Sequence, residues 1–359
     1  MLKFVAMNLF TEILLDWYKA HKRELPWRDI SNPYLIWISE IILQQTRISQ
    51  GIDYYRRFVA RFPDVASLAA ADEEEVMRYW QGLGYYSRAR NLHAAARSMT
   101  GGVFPSTYEG VRSLKGVGDY TAAAICSFAY GMPFAVVDGN VYRVLSRYWG
   151  IDVPIDSSAG KRLFSALAQE MMDTARPADY NQAIMDFGAI QCTPSLPSCG
   201  ECPLLETCFC GRRGNVTGYP VKKHEVQVSD RFFTYIMVYT PKTILVRRRL
   251  SNDIWKGLYE LPMIESDAPL TEELLRHDSR LLGWVGKEEV AAVTLVREGV
   301  RHVLTHRIIH ADFYLLPVAQ VPPAMKGEFV EIRREELDDY AFPQLIVSFL
   351  EKIFSKDLL

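Results

Sequence analysis

Apolar residues recur three and four positions apart through the first 209 residues, and in continuous or alternating runs after about residue 230. LFTEILLDWYKAH has helical spacing and follows Asn8, which suits an N-cap. ADEEEVMRYW carries Asp72 with Glu75 three residues on, the pattern of a capping box. SSAGKRLFSALAQEMMDTA and YNQAIMDFGAI continue the helical theme. WISEIILQQTRI, residues 37–48, reads as one more helix. It sets Glu40 among Trp37, Ile38, Ile41, Ile42 and Leu43, and follows them with Gln44, Gln45 and Thr46. The later runs RFFTYIMVY, TILVRRRL and HVLTHRIIHADFYLLPV read as β-rich, with helical stretches around 270–282 and 343–354. Between the halves lies GRRGNVTGYPVKKHEVQVSD, whose glycines and polar and basic residues suit a linker. The pattern predicts a multidomain chain: an all-α domain over 1–210, a linker over 211–229 and an α+β domain over 230–359.

Composition agrees with that division. A chain of 359 residues exceeds what one hydrophobic core usually serves. Its 49% hydrophobic and 23% charged residues are those of an ordinary globular protein. A net charge of −2 leaves nucleic-acid binding to a local basic face. Residues 1–10 lack a basic start and a small-residue cleavage site, and no apolar run approaches the roughly 20 residues that cross a bilayer. The expectation is a cytoplasmic protein with no membrane partner.

Five of the six cysteines lie between Cys192 and Cys210, crowding that in a reducing compartment points to metal ligation. Cys192, Cys199, Cys202 and Cys208 are separated by six, two and five residues. Four thiolates in one loop suit a [4Fe–4S] cluster or a tetrahedral zinc, and the spacing does not choose between them. Pro194, Pro197, Gly200 and Pro203 make this a loop with little core of its own. Cys126, in AAAICSFAY, reads as core, and Cys210 has no assigned role.

LKGVGDYTAAAICSFAY, residues 114–130, places Gly116, Val117 and Gly118 between two helices. The glycines permit a tight turn, and the next helix directs its N-terminus outward, an arrangement that favours an anion. A phosphate-binding helix-hairpin-helix is the reading, against a plain interhelical turn. In PFAVVDGNVYRVLSR, Asp138 follows an apolar run and precedes a helix, so it can cap that helix and still face a cleft. Glu40 is either a helix carboxylate turned to solvent or a buried acid, and burial would make it hold its proton to higher pH.

Together these elements resemble the helix-hairpin-helix DNA glycosylases with an iron–sulfur loop, the endonuclease III superfamily, over nearly all of residues 8–209. Within it the chain is most similar to the adenine-directed, MutY-type family. LPWR (25–28), SEIILQQT (39–46), QGLGYYSRARNLH (81–93), LKGVGDYTA (114–122), VDGNVYRVLSR (137–147), NQAIMDFGAIQC (181–192) and the cysteine loop carry the likeness, in that order. The resemblance implies a monomeric, nucleoid-associated base-excision enzyme with a [4Fe–4S] cluster on Cys192, Cys199, Cys202 and Cys208. Its partner would be duplex DNA holding adenine opposite 8-oxoguanine or guanine. It makes Glu40 the general acid toward N7 of a flipped adenine, and Asp138 the anion that steadies the sugar cation. Tyr120 and Asn140 would hydrogen-bond around these acids. Tyr120 stands where bifunctional members carry a lysine, so strong lyase activity is not expected. Trp27 and Arg28 would line the adenine pocket. Gln45 and Tyr85 would wedge into the duplex, and Thr46 and Leu83 would meet the 8-oxoguanine side. Lys115 and Gly116–Gly118 would hold phosphate, with Arg88, Arg90, Arg143 and Arg147 as further members of a basic DNA face.

RRRLSNDIWKGLYELP, residues 247–262, resembles the start of a Nudix fold, but MIESDAPLTEELLRH follows in place of a metal-binding R-E-x-x-E-E helix. The missing signature points to a Nudix-like domain without hydrolysis, and the resemblance to the adenine-directed family implies that this domain recognises 8-oxoguanine. Family members most often make the contact with Phe-Ser-His, where this chain has Leu304, Thr305 and His306. Thr305 keeps the hydroxyl. Three other readings remain open: a bifunctional or thymine-directed glycosylase, a damage-binding protein without catalysis, and a zinc-bound Nudix-like regulator.

Overall fold

Helical spacing in the first half folds as helices, and the later apolar runs fold as a sheet. The computed structural model describes residues 2–223 and 227–355. Two compact units result, Met1–Ala70 with Asn91–Glu225, and Ala71–Arg90 with Val226–Leu359. Residues 224–226 of the expected linker lie outside the described residues. The segment Ala71–Arg90, read in the sequence as part of the helical domain, groups with the C-terminal unit.

The first unit holds α1 (Leu2–His21), α2 (Pro33–Leu43), α3 (Ile48–Arg61) and α4 (Val65–Ala70). After α5 (Glu73–Trp80) in the second unit, the chain returns within α6 (Ser87–Ser98). It continues with α7 (Tyr108–Arg112), α8 (Asp119–Tyr130), α9 (Gly139–Trp149), α10 (Ser158–Met171), α11 (Pro177–Asp186) and α12 (Phe209–Arg213). α2 is well started: Asn32 Oδ1 accepts from the backbone N–H of Tyr34 at 3.0 Å and Leu35 at 3.2 Å, and Pro33 takes the first position. α2 is buried from Ile36 to Ile42 and packs on α8, whose Ala122 and Ala124 are fully covered. A core of Phe10, Leu14, Val141, Leu145, Phe164, Tyr180, Ile184 and Phe187 joins α1, α9, α10 and α11. Each such side chain contributes about 2 kcal/mol relative to exposure.

Three local expectations change. The helix read over 37–48 stops at Leu43, Gln44–Thr46 form a turn, and α3 begins at Ile48. Gln44 leaves the helical region at ψ 112°, and Gln45 follows in the left-handed region at φ 57°. Asn8 is an exposed residue inside α1, not its cap. Asp72 occupies the N-cap position of α5 without a side-chain capping bond.

The second unit is a seven-stranded sheet of β1 (Ser229–Tyr239), β2 (Thr243–Arg248), β3 (Tyr259–Glu260), β4 (Met263–Ser266), β5 (Thr294–Val303), β6 (Arg307–Pro317) and β7 (Val330–Arg333). The order is β3-β2-β1-β6-β5, with β4 also on β1 and β7 also on β2. β1 and β6 run parallel from Ser229 opposite Arg307 to Tyr239 opposite Pro317, and the other pairs are antiparallel. β1 is covered on both faces, which explains its unbroken apolar run. Phe233, Tyr235 and Met237 join the core under α15 (Gln344–Ser355), where Phe313 stacks on Phe349 at 4.2 Å. Ile236 and Val238 join the opposite core under α13 (Glu272–Arg276) and α14 (Ser279–Val285). After Pro262 the chain enters β4 and then these short helices, so no metal-binding Nudix helix forms there.

Candidate active site

α2, α8 and the start of α9 bring Glu40, Tyr120 and Asp138 onto one cavity of about 330 Å³, a size that suits a small organic group. Trp27, Arg28, Gln45, Thr46 and Asn140 line it too, so these eight sequence-expected residues converge. Gln44, noted in the sequence without a role, lines it as well, and so do Arg23, Ser39, Phe128 and Gln182, which were not singled out there.

Glu40 is 7% exposed. Burial pushes its carboxyl up to about 7, while a hydrogen bond from Tyr120 and the Arg28 guanidinium pull it down and Asp138 pushes it up. The reading of Glu40 as a solvent-facing helix residue is therefore excluded. Burial also holds the Tyr120 phenol well above its ordinary range, with Glu40 and Asp138 adding to the effect. Asp138 caps α9, its Oδ1 accepting from the Val141 N–H at 2.8 Å, and its Oδ2 accepts from Asn140 Nδ2 at 2.9 Å. Burial raises the Asp138 carboxyl, and those bonds with Arg143 oppose it. Asp138 thus has a polar cradle for its ionised form, whereas Glu40 is set mainly among apolar side chains. Asn140 is itself oriented by Arg143, whose Nη2 donates to its Oδ1 at 2.7 Å.

Trp27 is 7% exposed and packs edge-on to Tyr55 with centroids 5.2 Å apart. Arg28 Nη2 donates to Asp186 at 2.9 Å, and Arg23 pairs with the same fully buried carboxylate. Asp186 was also missed in the sequence. It is an acid between Met185 and Phe187 in an apolar stretch, the same signal that drew attention to Glu40.

The hairpin carries its glycines as expected. Gly116 has φ 83°, and a Cβ there would lie 2.9 Å from Asn91 Cβ, so the turn excludes a side chain. Lys115, Gly116 and Gly118 are exposed, Val117 is buried, and Gly118 precedes α8. Tyr120 stands on the first turn of α8, so one helix joins the hairpin to the cavity.

Leu83, Tyr85, Arg88, Thr305 and His306 belong to the second unit. Leu83 is buried, while Tyr85, Thr305 and His306 are exposed. The Tyr85 hydroxyl is bonded to Thr305 Oγ1. Residues 304–306 form the turn between β5 and β6, so the β-rich run HVLTHRIIHADFYLLPV is broken there. Among the described residues, positive φ without glycine occurs at Asp29, Gln45, Tyr85 and Trp255. Two of these are the expected wedge residues, and such backbone concentrates at functional sites. Arg88 holds the carbonyls of Leu83 and Gly84 at 3.3 Å each, bracing the Tyr85 loop.

Arg143 and Arg147 do not form a DNA face: they are 8% and 2% exposed. Arg147 instead ties the cysteine loop, donating to the carbonyls of Thr193 at 2.7 Å, Pro194 at 2.6 Å and Val216 at 2.8 Å. Cys192, Cys199, Cys202 and Cys208 line one cavity with Arg147 and Phe187. Arg147 Nη1 lies 3.5 Å from Cys192 Sγ, and the Gly211 N–H donates to Cys208 Sγ at 3.3 Å. Among the described residues no three His, Cys, Asp or Glu side chains are grouped closely enough to hold a metal ion. Four thiols with N–H donors to sulfur are a donor set open to an iron–sulfur group or to a tetrahedral zinc. Cys126 and Cys210 are fully buried.

Comparison with known proteins bears on the family and the fold. The HhH-GPD superfamily of base excision DNA repair proteins matches residues 38–169, and a NUDIX domain matches 234–352. The structure of a thermostable thymine-DNA glycosylase is 28% identical and covers 58% of this chain and 97% of its own, with a TM-score of 0.54. An endonuclease III–DNA covalent intermediate shares the fold at 22% identity and TM-score 0.52, covering 60% of this chain and 99% of its own. Fold and cavity thus define a helix-hairpin-helix base-excision scaffold joined to a Nudix-like domain. The adenine DNA glycosylase of Buchnera aphidicola subsp. Acyrthosiphon pisum is 31% identical over 90% of this chain and 91% of the relative. Those of Mus musculus and Homo sapiens are each 44% identical, over 56% and 58% of this chain, and the match spans only 42% and 40% of their lengths. The chain belongs to the adenine DNA glycosylase family. Among the described residues no helix is long and apolar enough to cross a membrane.

Proposed function

We propose that this chain removes adenine mispaired with 8-oxoguanine or guanine from duplex DNA, by flipping the base and hydrolysing its N-glycosidic bond. The observation that carries this reading is the pair of carboxyls, Glu40 and Asp138, on one cavity in unlike surroundings. Adenine leaves poorly as an anion. Glu40 holds a proton near neutral pH and delivers it to N7 as the C1′–N9 bond breaks and its electron pair goes to the base. Asp138, ionised in its cradle, steadies the positive sugar. Water then adds at C1′, giving a proton back to Glu40. Tyr120 offers a phenol where an amine would be needed for a Schiff base, so the reaction is monofunctional or nearly so.

In this reading Trp27 and Arg28 bound the flipped base, and Gln45 and Tyr85 fill the space it leaves. Thr46 and Leu83 face the opposite base, and Thr305 and His306 read the lesion, with Thr305 Oγ1 as donor or acceptor. Lys115 and the hairpin N–H groups at Gly116, Val117 and Gly118 hold a phosphate. Residues 1–210 are the catalytic domain and 230–359 the reader, in a cytoplasmic, nucleoid-associated monomer. Cys192, Cys199, Cys202 and Cys208 would hold a [4Fe–4S] cluster, which would cross-link the loop that Arg147 orients.

A duplex panel tests the reading: A opposite 8-oxoguanine, A opposite G, and T opposite G, each with and without alkali. Adenine release in the first two, with strand breaks only after alkali, is the expected result. Release of thymine would instead favour a thymine-directed enzyme, a reading kept by the 28% identity to the thymine-DNA glycosylase structure. Strand breaks without alkali would favour a lyase.

A further inference from the structure

Asp186 is the last residue of α11, where that helix passes into a π-type turn over Phe187–Gln191. Its side chain is fully buried, yet it is not a cavity-lining residue. Oδ1 accepts from Arg28 Nη2 at 2.9 Å and from Arg23 Nε at 3.0 Å, and the Arg23 backbone N–H reaches Oδ2 at 3.4 Å. Arg28 Nη1 is turned to the Tyr18 hydroxyl at 3.3 Å. Both arginines line the cavity that holds Glu40. Of the other elements, α8 faces Glu40 with Tyr120 and the start of α9 with Asp138, while α3 lines the cavity with Ile48 and α11 with Gln182 and Met185. Arg28 and Arg23 are therefore the only positive charges among the described lining residues.

We propose that Asp186 is a positioning residue for catalysis: by holding the Arg28 guanidinium it keeps that charge from pairing with Glu40, and so keeps Glu40 a proton donor. The arginine meets two carboxylates, Asp186 by a direct bond and Glu40 as a charge across the shared cavity. One is buried and already bonded to it, and the other must stay neutral for the proposed step. Removing the first leaves an unpaired buried cation whose best remaining partner is the second. The Glu40 carboxyl already feels Arg28 as a charge that favours its ionised form.

This rests on Glu40 being the acid. The test is the pH dependence of single-turnover adenine excision, with Glu40 ionisation followed in the DNA-free protein by carbon NMR of labelled glutamates and assigned with Glu40→Gln. Asp186→Asn is expected to move the alkaline limb and the Glu40 titration to lower pH by about one unit or more. Arg28→Gln is expected to move the titration upward, and the double variant to match Arg28→Gln. Asp186→Glu is expected to restore the wild-type limb. A uniform loss of rate in Asp186→Asn with an unmoved titration would overturn the inference and leave Asp186 a purely structural ion pair. A double variant still shifted downward would also overturn it, since Asp186 would then act without Arg28. If Asp186→Asn does not fold, the Arg28→Gln titration still decides: no upward shift would mean that the arginine does not act on Glu40. Normal excision by Glu40→Gln would sink the functional reading instead, whatever the titrations show.

Discussion

The Tyr120 hydroxyl, on the first turn of α8, is hydrogen-bonded to the carboxyl of Glu40 on α2. This bond favours the carboxylate, while burial favours the acid, and burial prevails, leaving Glu40 at about 7. Tyr120→Phe removes the opposing bond and keeps the ring. Glu40 should then hold its proton further, and the alkaline limb of the excision profile should move up by about one pH unit. Single-turnover rates across the neutral range check this, and a downward shift would contradict it.

Glu40 was legible because an acid among Ile36, Ile38, Ile41 and Ile42 breaks an apolar pattern. The same rule would have found Asp186 between Met185 and Phe187, had it been applied to α11. Arg143 and Arg147 were misread because charge in a sequence says nothing about burial. Both are buried on α9 and spend most of their donors on backbone carbonyls. The end of α2 was misread because Gln44, Gln45 and Thr46 carry no strong breaker, and the left-handed backbone at Gln45 is set by its surroundings. The acid and the wedge are thus on a helix and on the turn after it. The grouping of Ala71–Arg90 with the C-terminal unit was invisible, since it rests on long-range bonds such as Gln81 Oε1 to the Phe342 N–H at 3.0 Å.

Replacing either carboxyl separates chemistry from stability. Glu40→Gln and Asp138→Asn should each lower excision by at least about a hundredfold while mispair binding persists. For Glu40 the folded-state value, about 7, lies above the ordinary glutamate value of 4.5, so the folded protein binds the proton more tightly. That stability is complete below about 4.5 and is lost as pH rises toward and through about 7. Glu40→Gln escapes the loss. Relative to wild type it should gain stability between pH 5 and pH 8, by up to about 3 kcal/mol. Urea unfolding at the two pH values reads the difference.

Tyr85 and Thr305 share a hydrogen bond between exposed hydroxyls. Thr305→Ala should lower the preference for 8-oxoguanine over guanine opposite adenine by about three- to tenfold, the worth of one hydrogen bond. Tyr85→Phe keeps a ring for stacking, and its effect on that preference should be smaller. Binding constants for the two mispairs settle it, and full discrimination by Thr305→Ala would remove this turn from lesion reading.

The cysteine cavity makes a claim about metal content. The purified protein should contain about four irons and a broad visible absorption. Cys199→Ala should lose both, together with some thermal stability, because Arg147 then orients a loop with no cross-link. One zinc and no colour would assign the site to a tetrahedral ion.

The two hairpin glycines should behave differently. Gly116 has φ 83° and Asn91 Cβ only 2.9 Å from where its own Cβ would stand. Gly116→Ala must therefore distort the turn, at a cost of about 1–2 kcal/mol. Gly118 has φ −94° and nothing within 4 Å of a built Cβ. Gly118→Ala should leave folding nearly unchanged, and any loss of affinity would come from the methyl group standing between the α8 N-terminus and a phosphate. Both variants should weaken binding to matched and mismatched duplexes alike, since phosphate contacts do not read sequence. Excision from saturated complexes should stay near the wild-type rate for Gly118→Ala. Gly116→Ala should slow it, because α8 carries Tyr120 from the hairpin to Glu40. Equal slowing by both variants would mean that the hairpin does not hold α8 in place.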